Sequence, residues 1–129
     1  MTGLRASDEI RSALVLATNE TPPVAPPAAL EDYSSTIKKV FAYDCVYLLG
    51  KKQRAITSGV NEWLVPGKDL YFQVTCLEQE PTRYRVRIEL FRDKEQLLTT
   101  EARLALDAPL YIRGPQWGKG QLILILEVR

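Results

Sequence analysis

The sequence predicts an α+β fold in which one helix packs on a mostly antiparallel, strongly curved or two-layered β-sheet. One segment, residues 29–41, has apolar residues at helical spacing, whereas the other apolar segments have the period of strands. Two of those strands are apolar on both faces, and a single helix covers only one side of a small sheet, so a second layer is required. The predicted order is β-α-β followed by a β-meander.

Length and composition predict one domain. The chain has 129 residues, of which 46% are hydrophobic and 26% charged, the balance of an ordinary globular domain. We expect residues 1–9 to be a flexible N-terminus and residues 10–129 to form the single domain. Four prolines fall within residues 21–29, and because proline fixes φ and removes a backbone donor, an extended connection is expected there.

The predicted helix is amphipathic and should pack on the sheet. Acidic residues stand at its first turn and lysines at its last, which suits the helix dipole. One face should be buried. That face consists of Leu30, Tyr33, Ile37, Val40 and Phe41.

Two strands are expected at the centre of the sheet, side by side. Residues 13–17 and 122–126 are apolar at every position, which indicates burial on both faces. Residues 69–77 and 83–92 alternate instead, so one face of each should meet solvent. Other strands are expected at residues 43–49, 62–65, 96–106 and 110–113, with residues 51–57 as a polar continuation of the first or an edge strand.

Charge and composition exclude several function classes. The chain carries 17 Lys and Arg against 16 Asp and Glu, and it has no histidine. Without a basic excess, dedicated nucleic-acid binding is disfavoured. Without histidine, His-based triads and His-ligated zinc sites are excluded. The remaining nucleophiles and acids show no catalytic spacing, so we predict no enzymatic activity and no cofactor.

The cysteines and the apolar runs bear on the compartment. Cys45 and Cys76 lie in separate strand-like segments, so two buried thiols are the main interpretation and a disulfide is the alternative. No apolar run approaches the roughly 20 residues that span a bilayer, so no membrane span is predicted. Residues 1–10 contain no export signal, although a chain whose signal had been removed would look the same, so the compartment stays open.

A row of arginines is the first candidate binding feature. Arg83, Arg85 and Arg87 alternate along one strand, with Tyr71 expected beside them on a neighbouring strand. Arginines next to an aromatic residue could hold a single-stranded nucleic acid or an acidic partner. The alternative is a solvated face on which nearby glutamates neutralise the row.

A glycine-rich loop, predicted at residues 114–120, is the second candidate. Its glycines permit close backbone approach, so it could present amide groups and Lys119 to an anion while Trp117 stacks on the ligand. The segment does not match the phosphate-cradling motif, which precedes a helix. The alternative is a plain connection between strands with Trp117 folded over the edge of the core.

Short landmarks are spread along the chain: a strand ending at residues 16–19, residues 41–43 leading into 47–49, and Gly114-Pro115 followed by residues 120–124. Together they resemble a group of small single-domain bacterial proteins of uncharacterised function. The likeness covers most of residues 12–126 and consists of short, mostly structural motifs. It implies no activity, and it makes export plausible because such chains are often encoded with a secretion signal.

These observations predict a non-catalytic protein–protein interaction or assembly module. One helix leaves a sheet face or an edge strand uncovered, and Tyr71, Tyr111 and Trp117 are residue types that enrich interface centres. A protein partner or a second copy is the expected occupant. The alternative is a small anionic-ligand or nucleic-acid binding domain that uses the arginine face or the loop at 114–120.

Overall fold

Two four-stranded antiparallel sheets face each other in the computed structural model, which describes residues 8–21, 24–56, 61–67 and 69–128. We call β2-β1-β8-β7 the helix-side sheet and β3-β4-β5-β6 the open sheet. The elements of the described residues are β1 (Glu9–Thr18), a 3-10 turn (Ala28–Leu30), α1 (Glu31–Phe41), β2 (Cys45–Ala55), β3 (Asn61–Pro66), β4 (Leu70–Gln79), β5 (Arg83–Arg92), β6 (Glu95–Ala105), β7 (Leu110–Trp117) and β8 (Gly120–Val128).

The ends of the predicted flexible and proline-rich segments are partly described. Residues 1–7 of the predicted flexible N-terminus lie outside the described residues, whereas Asp8 is buried and β1 begins at Glu9. Within the predicted connection, residues 22 and 23 lie outside the description and residues 24–27 have no regular structure.

The main core fills the space between the two sheets. It forms because alternate residues of the open sheet point inward and meet one face of β1 and β8. The predicted alternation of β4 and β5 is confirmed, since their even-numbered residues from 70 to 76 and from 84 to 90 are all buried. The largest fully buried side chains of the main core include Leu14, Phe72, Ile88, Leu104 and Leu124.

A second, smaller core lies between α1 and the outer face of the helix-side sheet. Leu30, Tyr33 and Ile37 are buried there, as predicted. Val40 was expected in the same stripe, but 64% of its surface is exposed. Val40 lies at the edge of the buried stripe and in the last turn of the helix, where its side chain meets solvent. The helix ends at Phe41 and is capped by Ala42, whose φ of 64° is left-handed.

The predicted central strand pair is confirmed. β1 and β8 are antiparallel neighbours in which Ala13 is opposite Ile125 and Val15 is opposite Ile123. One face of this pair contacts the main core and the other contacts α1. Both layers are therefore needed to bury it, as the uninterrupted apolar runs indicated.

The predicted single meander holds only in part. Strands β3 to β6 follow one another as a meander, but the chain changes sheet between β2 and β3 and returns between β6 and β7. The sheets approach closely where Gly50 lies against the backbone of Pro66, leaving no room for a Cβ atom at that glycine. On the opposite side, the Asp107 amide donates to the Val128 carbonyl at 2.9 Å. Because β1 and β8 need cover on two faces, the remaining strands form a second layer.

The predicted glycine-rich loop is wrong, because most of residues 114–120 belongs to strands. β7 runs to Trp117 with a register shift between Arg113 and Gln116, and only Gly118 and Lys119 form the turn. Proline at position 115 fits because β7 is an edge strand, where a missing donor breaks no ladder. The Gln121 side-chain amide donates to the carbonyl groups of Gly114 and Pro115, which stabilises the irregularity.

Candidate interaction surfaces

The outer face of the open sheet is the side of β3-β4-β5-β6 turned away from the main core. Among the described elements, none packs on it. The corresponding face of the other sheet is covered by α1. We divide it into an aromatic end and a charged end, because the register of the four strands separates the two kinds of residue.

The aromatic end consists of Leu64, Pro66, Tyr71 and Phe91. Tyr71 pairs with Phe91 across β4 and β5, and their rings stack with centroids 5.2 Å apart and planes inclined by 14°. Leu64, one register step away, is 50% exposed. Stacked aromatic rings at this distance contribute an attraction in addition to the stabilisation that comes from their buried apolar area. The result is an apolar patch that is partly exposed to solvent.

The charged end contains the predicted arginine row, and the structure brings its members onto one face. Arg83 and Arg87 are exposed, while Arg85 is half-buried and lies opposite Arg103 of β6. Arg85 binds Glu78 at 3.3 Å and Glu101 at 2.9 Å.

Glutamates therefore neutralise part of the row. Besides the two ion pairs of Arg85, Arg103 binds Glu80 at 3.2 Å. Such exposed pairs add little stability, but they orient the guanidinium groups along the sheet. The solvated, salt-bridged alternative describes this half of the row better than a bare cationic track.

The choice of cation differs between the two sides of the molecule. Every cation in the strands β3, β4, β5 and β6 is an arginine, and Lys94 lies in the turn between β5 and β6. The lysines at positions 38, 39, 51 and 52 lie on α1 and β2.

Tyr111, a second predicted interaction residue, is under α1 and not on the open sheet. Its ring packs edge-on against Tyr33, with ring centroids 6.3 Å apart, and against Phe41, with ring centroids 6.4 Å apart. Burial raises the pKa of the Tyr111 phenol. Tyr111 therefore helps to attach the helix.

Trp117 and Lys119 lie at a third place, the end of the β7–β8 hairpin. Trp117 packs against the main core, and the Arg92 guanidinium lies 5.5 Å from its ring centroid. Lys119 is exposed in the turn. Tyr71, Tyr111 and Trp117 thus share no patch. Around Gly114 the backbone groups that form hydrogen bonds with a side chain are carbonyls, which accept from Gln121. An anion would require backbone amides instead.

Sequence reasoning missed Leu64 and Phe91. The signal for Phe91 was present, because it continues the odd-numbered, solvent-facing series of Arg83, Arg85 and Arg87. Its distance from Tyr71 was not readable, since that follows from the register between two strands.

The cysteine interpretation is confirmed. Cys45 and Cys76 are both buried and free. Burial raises the pKa of the Cys76 thiol, which keeps it protonated and unreactive. The Val24 amide donates to the Cys45 sulfur at 3.2 Å.

Two kinds of feature are absent from the described residues. They contain no group of three or more His, Cys, Asp or Glu side chains placed to hold a metal ion. They also contain no helix with the length and apolarity needed to cross a bilayer.

Comparison with known proteins adds no relative. No family model, no curated protein and no solved structure matches this chain. The resemblance to small bacterial proteins, and the export that it implies, stay predictions.

Proposed function

We propose that the protein is a non-catalytic interaction module that associates through the outer face of the open sheet, and that a second copy of the chain is an occupant of this face. One observation carries the proposal. The stacked Tyr71–Phe91 pair and the exposed Leu64 lie together on a sheet face that no described element covers.

The charge of the face favours a second copy. Arg83, Arg85, Arg87 and Arg103 alternate with Glu62, Glu78, Glu89 and Glu101, so two copies do not repel each other. In a two-fold dimer each contact occurs twice. An axis passing near Tyr71 brings the two aromatic ends together and leaves the charged ends at the rim.

The size of the face sets the expected affinity. Four strands about 4.8 Å apart, over about six residues each, make a flat area of roughly 400 Å² per copy, so a dimer buries roughly 800 to 1,000 Å² in total. This is the low end for specific complexes. We therefore expect a reversible dimer with a dissociation constant in the micromolar range, about 10 to 100 μM.

Sedimentation velocity over about 1 to 500 μM protein, concentrations chosen to bracket that range, tests the proposal. We expect a monomer–dimer equilibrium that the double substitution Tyr71→Ser with Phe91→Ser shifts to monomer. Val40→Ser is the matched control, because it removes an exposed apolar side chain from α1. Added salt should change the dimer little, since its centre is apolar.

Three outcomes would overturn the proposal. A monomer at every concentration excludes the second copy, and a dimer that survives the double substitution lies on another surface. Binding of a single-stranded oligonucleotide that weakens steeply with salt would favour the competing function, a nucleic-acid or anion site on the arginine row. The pairing of Arg85 and Arg103 with glutamates argues against that function.

A further inference from the structure

A groove with a volume of about 490 Å³ opens on the helix-side sheet, next to the first turn of α1. Its volume falls within the roughly 300 to 1,000 Å³ of small-molecule sites. Leu30, Leu48 and Ile125 form an apolar part of its lining. The groove lies on the opposite side of the molecule from the aromatic end, so it is independent of the proposed function.

Three cationic residues line the same groove: Arg11 of β1, and Lys51 and Lys52 of β2. Strand alternation places the side chains of Arg11 and Lys51 on the groove face, whereas Lys52 has the opposite parity. Lys51 is opposite Ala13 on the outer face of the sheet, two residues from Arg11, so the register brings the charges together. Both lysines are exposed, which leaves their ammonium groups accessible from solvent.

Arg11 supplies the observation that points to a ligand. Its Nε atom is buried and has no hydrogen-bond partner. A buried donor without an acceptor is costly, and it favours binding of a group that brings one. Among the groove cations, Arg11 is thus the one with a buried donor atom that lacks a partner.

Two carboxylates lie near these cations, and neither reverses the balance. Asp32 lines the groove. Glu127 lies opposite Arg11 across β1 and β8, but it is buried and accepts a hydrogen bond from the Tyr33 hydroxyl at 2.7 Å. The lining residues therefore carry three positive charges against the one negative charge of Asp32, and the Glu127 carboxylate beside Arg11 brings the negative charges to two.

We propose that this groove binds a small organic anion. The carboxylate or phosphate head group contacts Arg11 and Lys51, and a short apolar body rests on Leu30, Leu48 and Ile125. The Arg11 guanidinium and the Lys51 ammonium group provide charge-assisted hydrogen bonds to either head group. The apolar floor accounts for the preference for an organic anion over a bare inorganic one.

Titration of the ¹⁵N-labelled full chain, followed by amide chemical shifts at constant ionic strength, tests the proposal. The probes are hexanoate, hexyl phosphate, hexanol and inorganic phosphate, each up to about 10 mM, where a millimolar site is largely occupied. We expect saturable shifts around residues 11–13 and 48–53 with the two amphiphilic anions. Hexanol and inorganic phosphate should bind at least about tenfold more weakly, and the ratio of the two anions identifies the head group.

Charge-removing variants locate the site. Arg11→Gln and Lys51→Gln should each weaken hexanoate or hexyl phosphate binding about tenfold. Lys94→Gln, in the exposed β5–β6 turn, is the matched control and should leave it unchanged. Lys51 is exposed, so its variant keeps the fold even if Arg11→Gln does not.

Absence of saturable shifts would overturn the proposal, as would hexanol binding as tightly as the anions. Binding that Lys51→Gln leaves unchanged would place the site elsewhere and overturn it as well.

Discussion

The two sheets have the same number of described strands, yet only one of them is covered on its outer face. The burial patterns of the strands show this difference. β8 is buried at every position from Gly120 to Val128 because it lies between two layers. β5 alternates between buried and accessible residues because only one layer packs on it. A strand with two apolar faces thus lies between two layers, and a strand with one apolar face is covered by a single layer.

The contrast between the two sheets requires that α1 stabilise the sheet that it covers. Ile37 is fully buried under the helix, so Ile37→Ala should lower the free energy of unfolding by about 2 to 5 kcal/mol. Val40→Ala, at an exposed position of the same helix, should change it by less than about 0.5 kcal/mol. Chemical denaturation measures both. Equal effects would mean that the helix is not attached through its predicted face.

The uncovered sheet should depend on its own surface contact. Tyr71→Ala and Phe91→Ala in a double-mutant cycle should show a coupling of about 0.5 to 1.5 kcal/mol, the range of stacked aromatic pairs. The cycle should be measured at a protein concentration at which the chain is monomeric, because dimer formation would add to the apparent coupling energy. Additive effects would show that the two rings do not contact each other in solution.

Charge reversal on the same face should matter less. Arg85→Glu removes two ion pairs and places a third carboxylate beside Glu78 and Glu101, but 34% of the Arg85 side chain is exposed. We expect a loss of under about 1 kcal/mol, shrinking as salt is added. Thermal unfolding at low and high salt measures it. A loss of several kcal/mol would mean that the charged end is buried against another part of the molecule.

Alkaline pH should act on the helix-side sheet through Tyr47. Its hydroxyl donates to the Glu20 carboxylate, and that hydrogen bond is the main cause that raises the Tyr47 pKa to about 12. The folded state then holds a proton that the unfolded state releases near pH 10, so Tyr47 contributes fully below about pH 10 and loses its contribution as pH rises toward 12.

Tyr47→Phe is the comparison that isolates this effect. The difference in stability between the parent chain and Tyr47→Phe should be constant below about pH 10 and should shrink above it. An ultraviolet titration should show one phenol fewer titrating near pH 12. A difference that stayed constant up to pH 12 would contradict the role of Glu20.

Much of the fold was readable because each signal was local. Strand period, the helical stripe and the central β1–β8 pair depend on which residues alternate or fail to alternate within ten positions. The strand ending at Arg113 was predicted too short, because Gly114 and Pro115 are breakers in isolation. Their effect is offset by the Gln121 side chain, which lies on the neighbouring strand.

The candidate surfaces were less readable, because they depend on contacts between distant segments. Tyr71, Tyr111 and Trp117 are equivalent by residue type, yet one is on the open sheet, one under the helix and one at the edge of the core. Arg11 and Lys51 meet only through the register of β1 and β2. No spacing within a single segment encodes such meetings.

The pairing of the first strand with the last has a consequence for how fast this chain folds. β1 cannot complete its ladder until β8 has been synthesised, and the second neighbour of β8 is β7, close to it in sequence. A nascent chain therefore has the open-sheet meander available early, while β1 waits with one edge unpaired. Pairing between segments so far apart in sequence forms more slowly than pairing between consecutive strands, and an unpaired apolar strand is exposed to aggregation during that interval.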